Sequence, residues 1–134
     1  MTRIKNKVIL FSKKRERLGS ELLLNGGFDT DSGWIKGGGW IITGGELVVN
    51  SAAYTTVRQN GIIEIGKTYK LTFSIVKYTS GSCWIGSNLA VGTLRNAIGT
   101  YTIDWVSDTV DIFIESGGSG FIGSIDNVSV KEVL

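Results

Sequence analysis

The sequence has 134 residues, which is the size of one domain with a core of its own. It contains no histidine and one cysteine, so serine–histidine–aspartate and cysteine–histidine catalysis, the common zinc sites and an internal disulfide are excluded. Nineteen glycines without a proline, at 42% hydrophobic and 19% charged residues, indicate a soluble globular protein built from short strands and tight turns.

Charge divides the sequence into a basic N-terminal arm and an acidic body. Residues 1–17 carry a net charge of +6 and the remaining residues carry −4. The arm, residues 1–18, also contains an apolar run at residues 8–11, which the arm cannot bury by itself. We therefore expect the arm to dock on other proteins of an assembly. The docking residues are expected to be Arg3, Lys5, Lys7, Phe11, Lys13, Lys14, Arg15 and Arg17.

Two other interpretations of the arm follow from the same residues. One is an extension that is flexible or is ordered by crystal contacts. The other is a nucleic-acid-binding tail, which we do not expect because Phe11 is the one aromatic residue of the arm.

Neither a membrane span nor a signal peptide is predicted. No run approaches the roughly 20 apolar residues of a membrane helix, and residues 8–11 are too short for a signal-peptide core. We expect no membrane insertion and synthesis in a host cytoplasm without a signal peptide.

Short alternating runs separated by glycine-rich turns follow the arm. The predicted strands cover residues 21–24, 40–43, 46–50, 54–59, 62–65, 69–76, 83–86, 89–91, 100–106, 110–115 and 121–131. Gly44-Gly45 and Asn60-Gly61 are typical of hairpin turns, and the glycine-rich residues 116–120 predict a flexible tip. About ten regularly spaced strands indicate an antiparallel β-sandwich or barrel.

The clearest of these strands lies near the middle of the chain. Tyr69, Leu71, Phe73 and Ile75 alternate with mostly polar residues, which places one apolar row on one face of the strand. An apolar row must be covered by another layer, and the sequence offers no good helical run. A second sheet is therefore expected over this face.

Three segments of the body resemble one known family. They are residues 24–28 (Leu-Asn-Gly-Gly-Phe) with the Gly-Trp pairs at 33–34 and 39–40, residues 66–73, and residues 121–130. The body resembles carbohydrate-binding modules with the galactose-binding-like jelly roll, most closely those of bacteriophage and prophage tail or head-fibre proteins. The resemblance covers about residues 20–134 and implies an all-β antiparallel jelly-roll β-sandwich for residues 19–134.

The resemblance also implies a structural calcium ion that ties the first strand of the body to the last. The matching residues are Asp29 and Asp126, since calcium takes carboxylate and carbonyl oxygens gathered from loops. Turn formation and backbone hydrogen bonding are the alternative roles of both aspartates.

Sugar binding needs exposed aromatic faces and polar groups beside them. Trp84 is the first candidate, because buried cysteine is the rule and Cys83 would then turn Trp84 outward. The predicted binding residues are Trp84, Tyr54, Tyr78, Arg58 and Asn88, and Trp34, Gln59 and Arg95 are further candidates. Trp40, Tyr69, Phe73, Tyr101 and Trp105 are expected in the core instead.

Catalysis is not expected. Asp104, Asp111 and Glu115 offer carboxylates of the kind used in glycoside hydrolysis, but the polar face of a sandwich has the same appearance. Cys83 has no histidine to activate it.

Together these inferences predict a non-catalytic phage virion module, either a fibre, a tail or a capsid-decoration protein. It would dock to other virion proteins through its arm, form a homo-oligomer there and present its sandwich to a host-surface glycan. The alternative is a purely structural decoration or adaptor subunit without a glycan ligand.

Overall fold

The computed structural model describes residues 15–86 and 93–134, and in this part of the chain the regular secondary structure consists of β-strands. All strand pairs are antiparallel. The strands are β1 (Ile35–Lys36), β2 (Trp40–Thr43), β3 (Glu46–Ser51), β4 (Thr56–Gln59), β5 (Thr68–Gly86), β6 (Gly99–Val106) and β7 (Ile112–Glu132). No helix of the described residues is long and apolar enough to span a membrane.

Two long strands, β5 and β7, are the main structural elements of the fold. They pair with each other from Tyr69 opposite Glu132 to Gly86 opposite Phe113, and the register shifts at four places along the way. Such bulges bend strands, so the pair curves around the core. The outer neighbours complete the order β1-β4-β7-β3-β2, while β6 lies on the other side of β5. The result is an all-β antiparallel sandwich of the jelly-roll type, which confirms the predicted fold class.

The apolar row of β5 forms the centre of the core, as the alternation predicted. Tyr69, Leu71, Phe73 and Ile75 are each at most 2% exposed. They share one cluster with side chains from the other strands: Trp40, Leu47, Val49, Val57, Ile112, Ile114, Phe121, Ile125 and Val130. Burial of a large apolar side chain contributes about 1.5–3 kcal/mol, so this row and its partners hold the sandwich together. Tyr101 and Trp105 lie at the margin of the core and are only half-buried.

The prediction of a flexible tip at residues 116–120 is wrong. These residues lie inside β7, and Ser116 is fully buried, with its hydroxyl 2.6 Å from the carbonyl oxygen of Ala52. Glycine is needed where β5 and β7 approach each other, because a Cβ on Gly81 would come within 2.1 Å of the Gly120 carbonyl oxygen. Glycine therefore allows β5 and β7 to come close together at their bend.

The prediction of about ten separate strands is also wrong, because the described residues contain seven. Residues 83–86 continue β5 across its bulges, and residues 21–24 and 62–65 form no named strand. Glu21 explains the first case: its carboxylate accepts hydrogen bonds from the backbone N–H groups of Leu23 and Val130, at 3.2 and 2.7 Å. The Glu21 carboxylate thus accepts N–H groups that the carbonyl oxygens of a paired strand would otherwise accept. The strand predicted at residues 89–91 lies outside the described residues.

The end of the predicted arm joins the sandwich. Leu18 bridges Val133, the Arg17 carbonyl accepts the N–H of Leu134 at 2.8 Å, and Glu16 lies 3.2 Å from the Lys70 ammonium. Six of the predicted docking residues lie outside the described residues: Arg3, Lys5, Lys7, Phe11, Lys13 and Lys14.

Candidate functional site

The candidate site lies where the ends of β5, β7, β4 and β1 run side by side. Phe113 of β7 is opposite both Gly86 and Arg58, and Arg58 is opposite Ile35. Opposite residues of antiparallel strands project to the same face. The alternating positions at this end face the core and are at most 3% exposed: Cys83, Ile85, Ile112, Ile114 and Val57.

The residues between those core positions therefore project from the opposite side of the sheet. They are Trp84, Phe113, Glu115, Thr56 and Arg58, and we call this surface the Trp84 face. Trp84 lies opposite Glu115, which in turn lies opposite Thr56. The strand ladder thus holds five side chains of different chemistry on one continuous surface.

An aromatic pair occupies the middle of the Trp84 face. The ring centroids of Trp84 and Phe113 are 6.2 Å apart and their planes are tilted by 51°. Phe113 is 9% exposed and Trp84 is half-buried. Aromatic pairs of this geometry stabilise each other by about 0.5–1.5 kcal/mol beyond their burial. The pairing fixes the indole while part of its surface remains open to a ligand.

Two charged side chains, Arg58 and Glu115, stand beside the aromatic pair. Arg58 is exposed and Glu115 is half-buried. Across residues 15–86 and 93–134, neither side chain forms a hydrogen bond or an ion pair, and the same holds for the indole N–H of Trp84. The face therefore combines a donor group, an acceptor group and an aromatic surface, and the donor and acceptor are unoccupied as far as the described residues go.

Two further exposed side chains border the Trp84 face. Tyr54 is 70% exposed, has a φ of 59° and precedes β4, where its N–H donates to the Ser116 carbonyl at 3.1 Å. Leu94 is 52% exposed. Because Cys83 and Arg95 form an antiparallel bridge, Leu94 lies opposite Trp84. The structure thus brings the predicted residues Trp84, Tyr54 and Arg58 to one region.

Tyr78 lies on the core side of the sheet instead. Its ring packs 6.3 Å from that of Phe121, and its hydroxyl donates to the Gly81 carbonyl at 2.9 Å. It is therefore separated from the Trp84 face by the sheet itself. Asn88 lies outside the described residues.

Three additional sequence candidates have structural partners. The Trp34 indole N–H donates to the Asn25 carbonyl at 3.0 Å, and Trp34 is 7% exposed. Gln59 is 4% exposed and its side-chain amide exchanges two hydrogen bonds with the backbone of Leu24. The Arg95 guanidinium lies 4.7 Å from the centre of the Tyr101 ring. Their contacts are those of structural residues.

Sequence reasoning missed Phe113 as part of the surface. Its position was visible in the pattern, since Phe113 stands between Asp111 and Glu115 in the row opposite Ile112 and Ile114. An aromatic residue in an otherwise acidic row was the available signal. Its contact with Trp84 on the adjacent strand could be recognised only once the strand register was known.

The two aspartates implied as calcium ligands take part in local hydrogen bonds. The Asn25 side chain accepts the Asp29 N–H at 3.0 Å, and Asp126 accepts the Asn127 N–H at 2.7 Å. The described residues contain no group of three or more histidine, cysteine, aspartate or glutamate side chains placed to hold a metal.

The loop around Asp29 already has a donor at its centre. The Asn25 side-chain NH2 donates to the carbonyls of Thr30 and Ser32, at 2.6 and 2.8 Å. These carbonyls would be natural calcium ligands, and the amide occupies them. The residues present therefore give the calcium site little support, and it stays a prediction of the resemblance.

Cys83 is buried, and Asp104 and Asp111 each accept a hydrogen bond from a neighbouring group. Burial raises the pKa of the Cys83 thiol from 9.0 to about 12, so the thiol stays protonated at neutral pH. Asp104 accepts from the Lys70 ammonium at 2.7 Å, and Asp111 accepts the Gly61 N–H at 2.8 Å.

Comparison with known proteins identifies the fold. No protein-family model and no curated protein matches the sequence. Among solved structures, the chain is similar to a CBM4 carbohydrate-binding module, with a TM-score of 0.51 and 18% identity over 75% of this chain and 94% of that one. It is also similar to CBM35 from Paenibacillus barcinonensis, with a TM-score of 0.48 and 13% identity over 87% of this chain and 98% of that one. The similarity to CBM4 shows that the chain has a β-sandwich fold like that of a carbohydrate-binding module.

Proposed function

We propose that the domain is a non-catalytic carbohydrate-binding module that binds glycans through the Trp84 face. The observation that carries this proposal is the outward Trp84–Phe113 pair beside Arg58 and Glu115, for which the described part of the chain offers no ion-pair partner. The similarity to CBM4 supports a glycan as the ligand class.

Each part of the face has a role in binding a sugar. The apolar face of a pyranose ring packs on the indole of Trp84. The Arg58 guanidinium donates hydrogen bonds to sugar hydroxyls, and the Glu115 carboxylate accepts them. Because these groups project from paired strands rather than from a loop, little backbone order has to be gained on binding.

Glycan-array screening of the full chain tests the proposal, followed by titration calorimetry with a glycan that binds. We expect Trp84→Ala and Arg58→Ala each to weaken binding at least about tenfold, since a removed stacking or charged hydrogen-bonding contact is worth about 1.5–3 kcal/mol. Ile41→Ala is the matched control, because Ile41 is 55% exposed on β2 and lies outside the Trp84 face. Unchanged affinity in Trp84→Ala, or no binding by the parent, would contradict the proposal.

We further propose that the module belongs to a bacteriophage virion, to which its N-terminal arm anchors it. The support is the resemblance of residues 20–134 to phage fibre modules and the net charge of +6 at residues 1–17. Deleting residues 1–14 should leave a cooperative thermal transition and abolish incorporation into particles, as measured by mass spectrometry of purified virions. Particles that incorporate the truncated protein normally would overturn this part.

A purely structural decoration or adaptor subunit is the second candidate. It is favoured by apolar side chains that the sandwich leaves open to contact, among them Ile41, Ile65, Ile98 and Val106, at 55–66% exposure. An ordered multimer in which the Trp84 face is covered, and no glycan binding by the parent, would select this candidate.

A further inference from the structure

Strand β6, Gly99–Val106, forms a long open edge of the sandwich. It pairs with β5 from Val106 opposite Thr68 to Gly99 opposite Ile75 without a bulge. Within residues 15–86 and 93–134, no strand pairs with its other side. It contains neither lysine nor proline, the residues that commonly protect exposed edges from pairing.

The unpaired backbone groups of β6 can be assigned from the ladder. The Val133 N–H donates to the Thr68 carbonyl at 2.8 Å, so the peptide groups of Thr68 point toward β7. Because peptide groups alternate in direction along a strand, Tyr69 and every second residue after it point toward β6. On β6 itself, the groups that point away from the sheet are those of Thr100, Thr102, Asp104 and Val106.

The side chains of β6 form an apolar row at this edge that is only partly covered by the core. Tyr101, Ile103 and Trp105 project toward the core but are only half-buried, because β6 is the last strand of its layer. On the other face, Asp104 is the one charged residue of the strand. A further strand at this edge would both cover the apolar row and use the free backbone groups.

We propose that β6 pairs antiparallel with β6 of a second copy of this chain, across a two-fold axis at Ile103. In this register Thr102 lies opposite the partner's Asp104, and Thr100 lies opposite the partner's Val106. Together with their symmetry equivalents, these pairs include every residue of β6 whose peptide groups point away from β5. Two bonds for each hydrogen-bonded pair give about eight hydrogen bonds.

The side chains favour the same register. Tyr101 lies opposite the partner's Trp105 and Ile103 opposite the partner's Ile103, so the apolar row continues across the axis. On the other face, the Thr102 hydroxyl can donate to the partner's Asp104 carboxylate. An axis at Asp104 would oppose two carboxylates, and an axis at Thr102 would leave the peptide groups of Val106 unpaired.

Replacing Thr102 by an acidic and by a basic residue tests the proposal. Sedimentation equilibrium of the full chain over a range of concentrations gives the dimer dissociation constant. Thr102→Asp places a carboxylate opposite the partner's Asp104 on both sides of the axis, and we expect the dissociation constant to rise about tenfold. Thr102→Lys makes the same contact attractive and should lower it about threefold. Thr79→Asp, an exposed position on β5, is the control for added charge and should leave it unchanged.

Circular dichroism melts establish that each variant is folded, and if Thr102→Asp fails to fold, the sign of the Thr102→Lys effect decides. Hydrogen exchange identifies the contact, since the amides of Thr102 and Asp104 should be protected in the dimer. A dimer insensitive to both substitutions, or weakened equally by both, would overturn the proposal. So would a parent monomer in which these two amides exchange slowly, because another segment such as residues 1–14 would then cover the edge.

Discussion

Trp84 packs against Phe113 on the side of the sheet that faces away from the core, with 6.2 Å between the ring centroids. Three other large aromatic side chains of β2 and β5, Trp40, Tyr69 and Phe73, are each at most 2% exposed. The Trp84–Phe113 pair therefore lies outside the main core.

Replacement of Trp84 should cost much less stability than replacement of a core tryptophan. Trp84→Ala loses one aromatic contact and part of its buried area, so we expect the free energy of unfolding to fall by about 1–2 kcal/mol. Trp40→Ala, the core control, should cost about 3–5 kcal/mol. Urea denaturation of both variants measures the difference, and equal losses would show that Trp84 belongs to the core.

The Asn25 side chain should be the main stabiliser of the loop that contains Asp29. Asn25→Gly suits the backbone φ of 54° and removes only the side-chain hydrogen bonds. We expect a loss of about 1–3 kcal/mol, because the Thr30 and Ser32 carbonyls lose their donor. Asn50→Ala, at an exposed position of β3, should cost less than about 0.5 kcal/mol. A neutral Asn25→Gly would show that the loop holds its shape by other means.

The calcium ion implied by the family resemblance has a direct test. A cation that binds only the native state raises the melting temperature by mass action. If the site exists, added calcium should raise the melting temperature of the parent, and Asp126→Ala should remove that rise. Asp31→Ala is the control, since Asp31 already pairs with Lys36. Chelation that leaves the parent unchanged would exclude the site.

Burial of Cys83 should make the protein less stable in alkali. The pKa of the thiol rises from 9.0 to about 12 on folding, so the folded state holds this proton more tightly than the unfolded chain. The resulting stabilisation is complete below about pH 9 and is lost as the pH approaches 12. The slope corresponds to about 1.4 kcal/mol per pH unit.

Denaturation at several pH values between 8 and 11 measures this slope. The hydrogen bond that the Lys70 ammonium donates to Asp104 raises the pKa of Lys70, which contributes in the same direction at higher pH. Cys83→Ala keeps Lys70, so the difference between parent and variant isolates the thiol. Parallel pH profiles for the two proteins would contradict the prediction.

The close approach of β5 and β7 should make Gly81 irreplaceable. Gly81→Ala places a methyl group 2.1 Å from the Gly120 carbonyl oxygen at a φ of 80°. Backbone strain and overpacking together should cost at least about 3 kcal/mol. Gly44→Ala has a φ of 61° with open space around the added methyl, and should cost about 1–2 kcal/mol. Similar melting temperatures for the two variants would refute a role for close approach.

The core of β5 could be predicted from the sequence because its register is local. The alternation of Tyr69, Leu71, Phe73 and Ile75 is undisturbed, and each side chain is buried as expected. The same reasoning separated Cys83 from Trp84, which occupy opposite faces of one strand.

The full composition of the site could not be predicted, because bulges break the period of two. Tyr78 and Trp84 are both even-numbered, yet the register shift between Tyr78 and Ser80 adds one residue to β5 and places them on opposite sides of the sheet. Likewise, Phe113 meets Trp84 only through strand pairing between distant segments. Such long-range register is set by packing of the whole sandwich, which no short window of sequence contains.

The long β5–β7 ladder also determines how the chain reaches its fold. Its partners are distant in sequence, from Gly86 and Phe113 to Tyr69 and Glu132. Folds with such non-local contacts typically form in milliseconds to seconds, since loop closure precedes most of the stabilising contacts. The absence of proline removes the slow isomerisation steps that often complicate refolding. Refolding should therefore be a single kinetic phase whose rate is set by the two long strands finding their register.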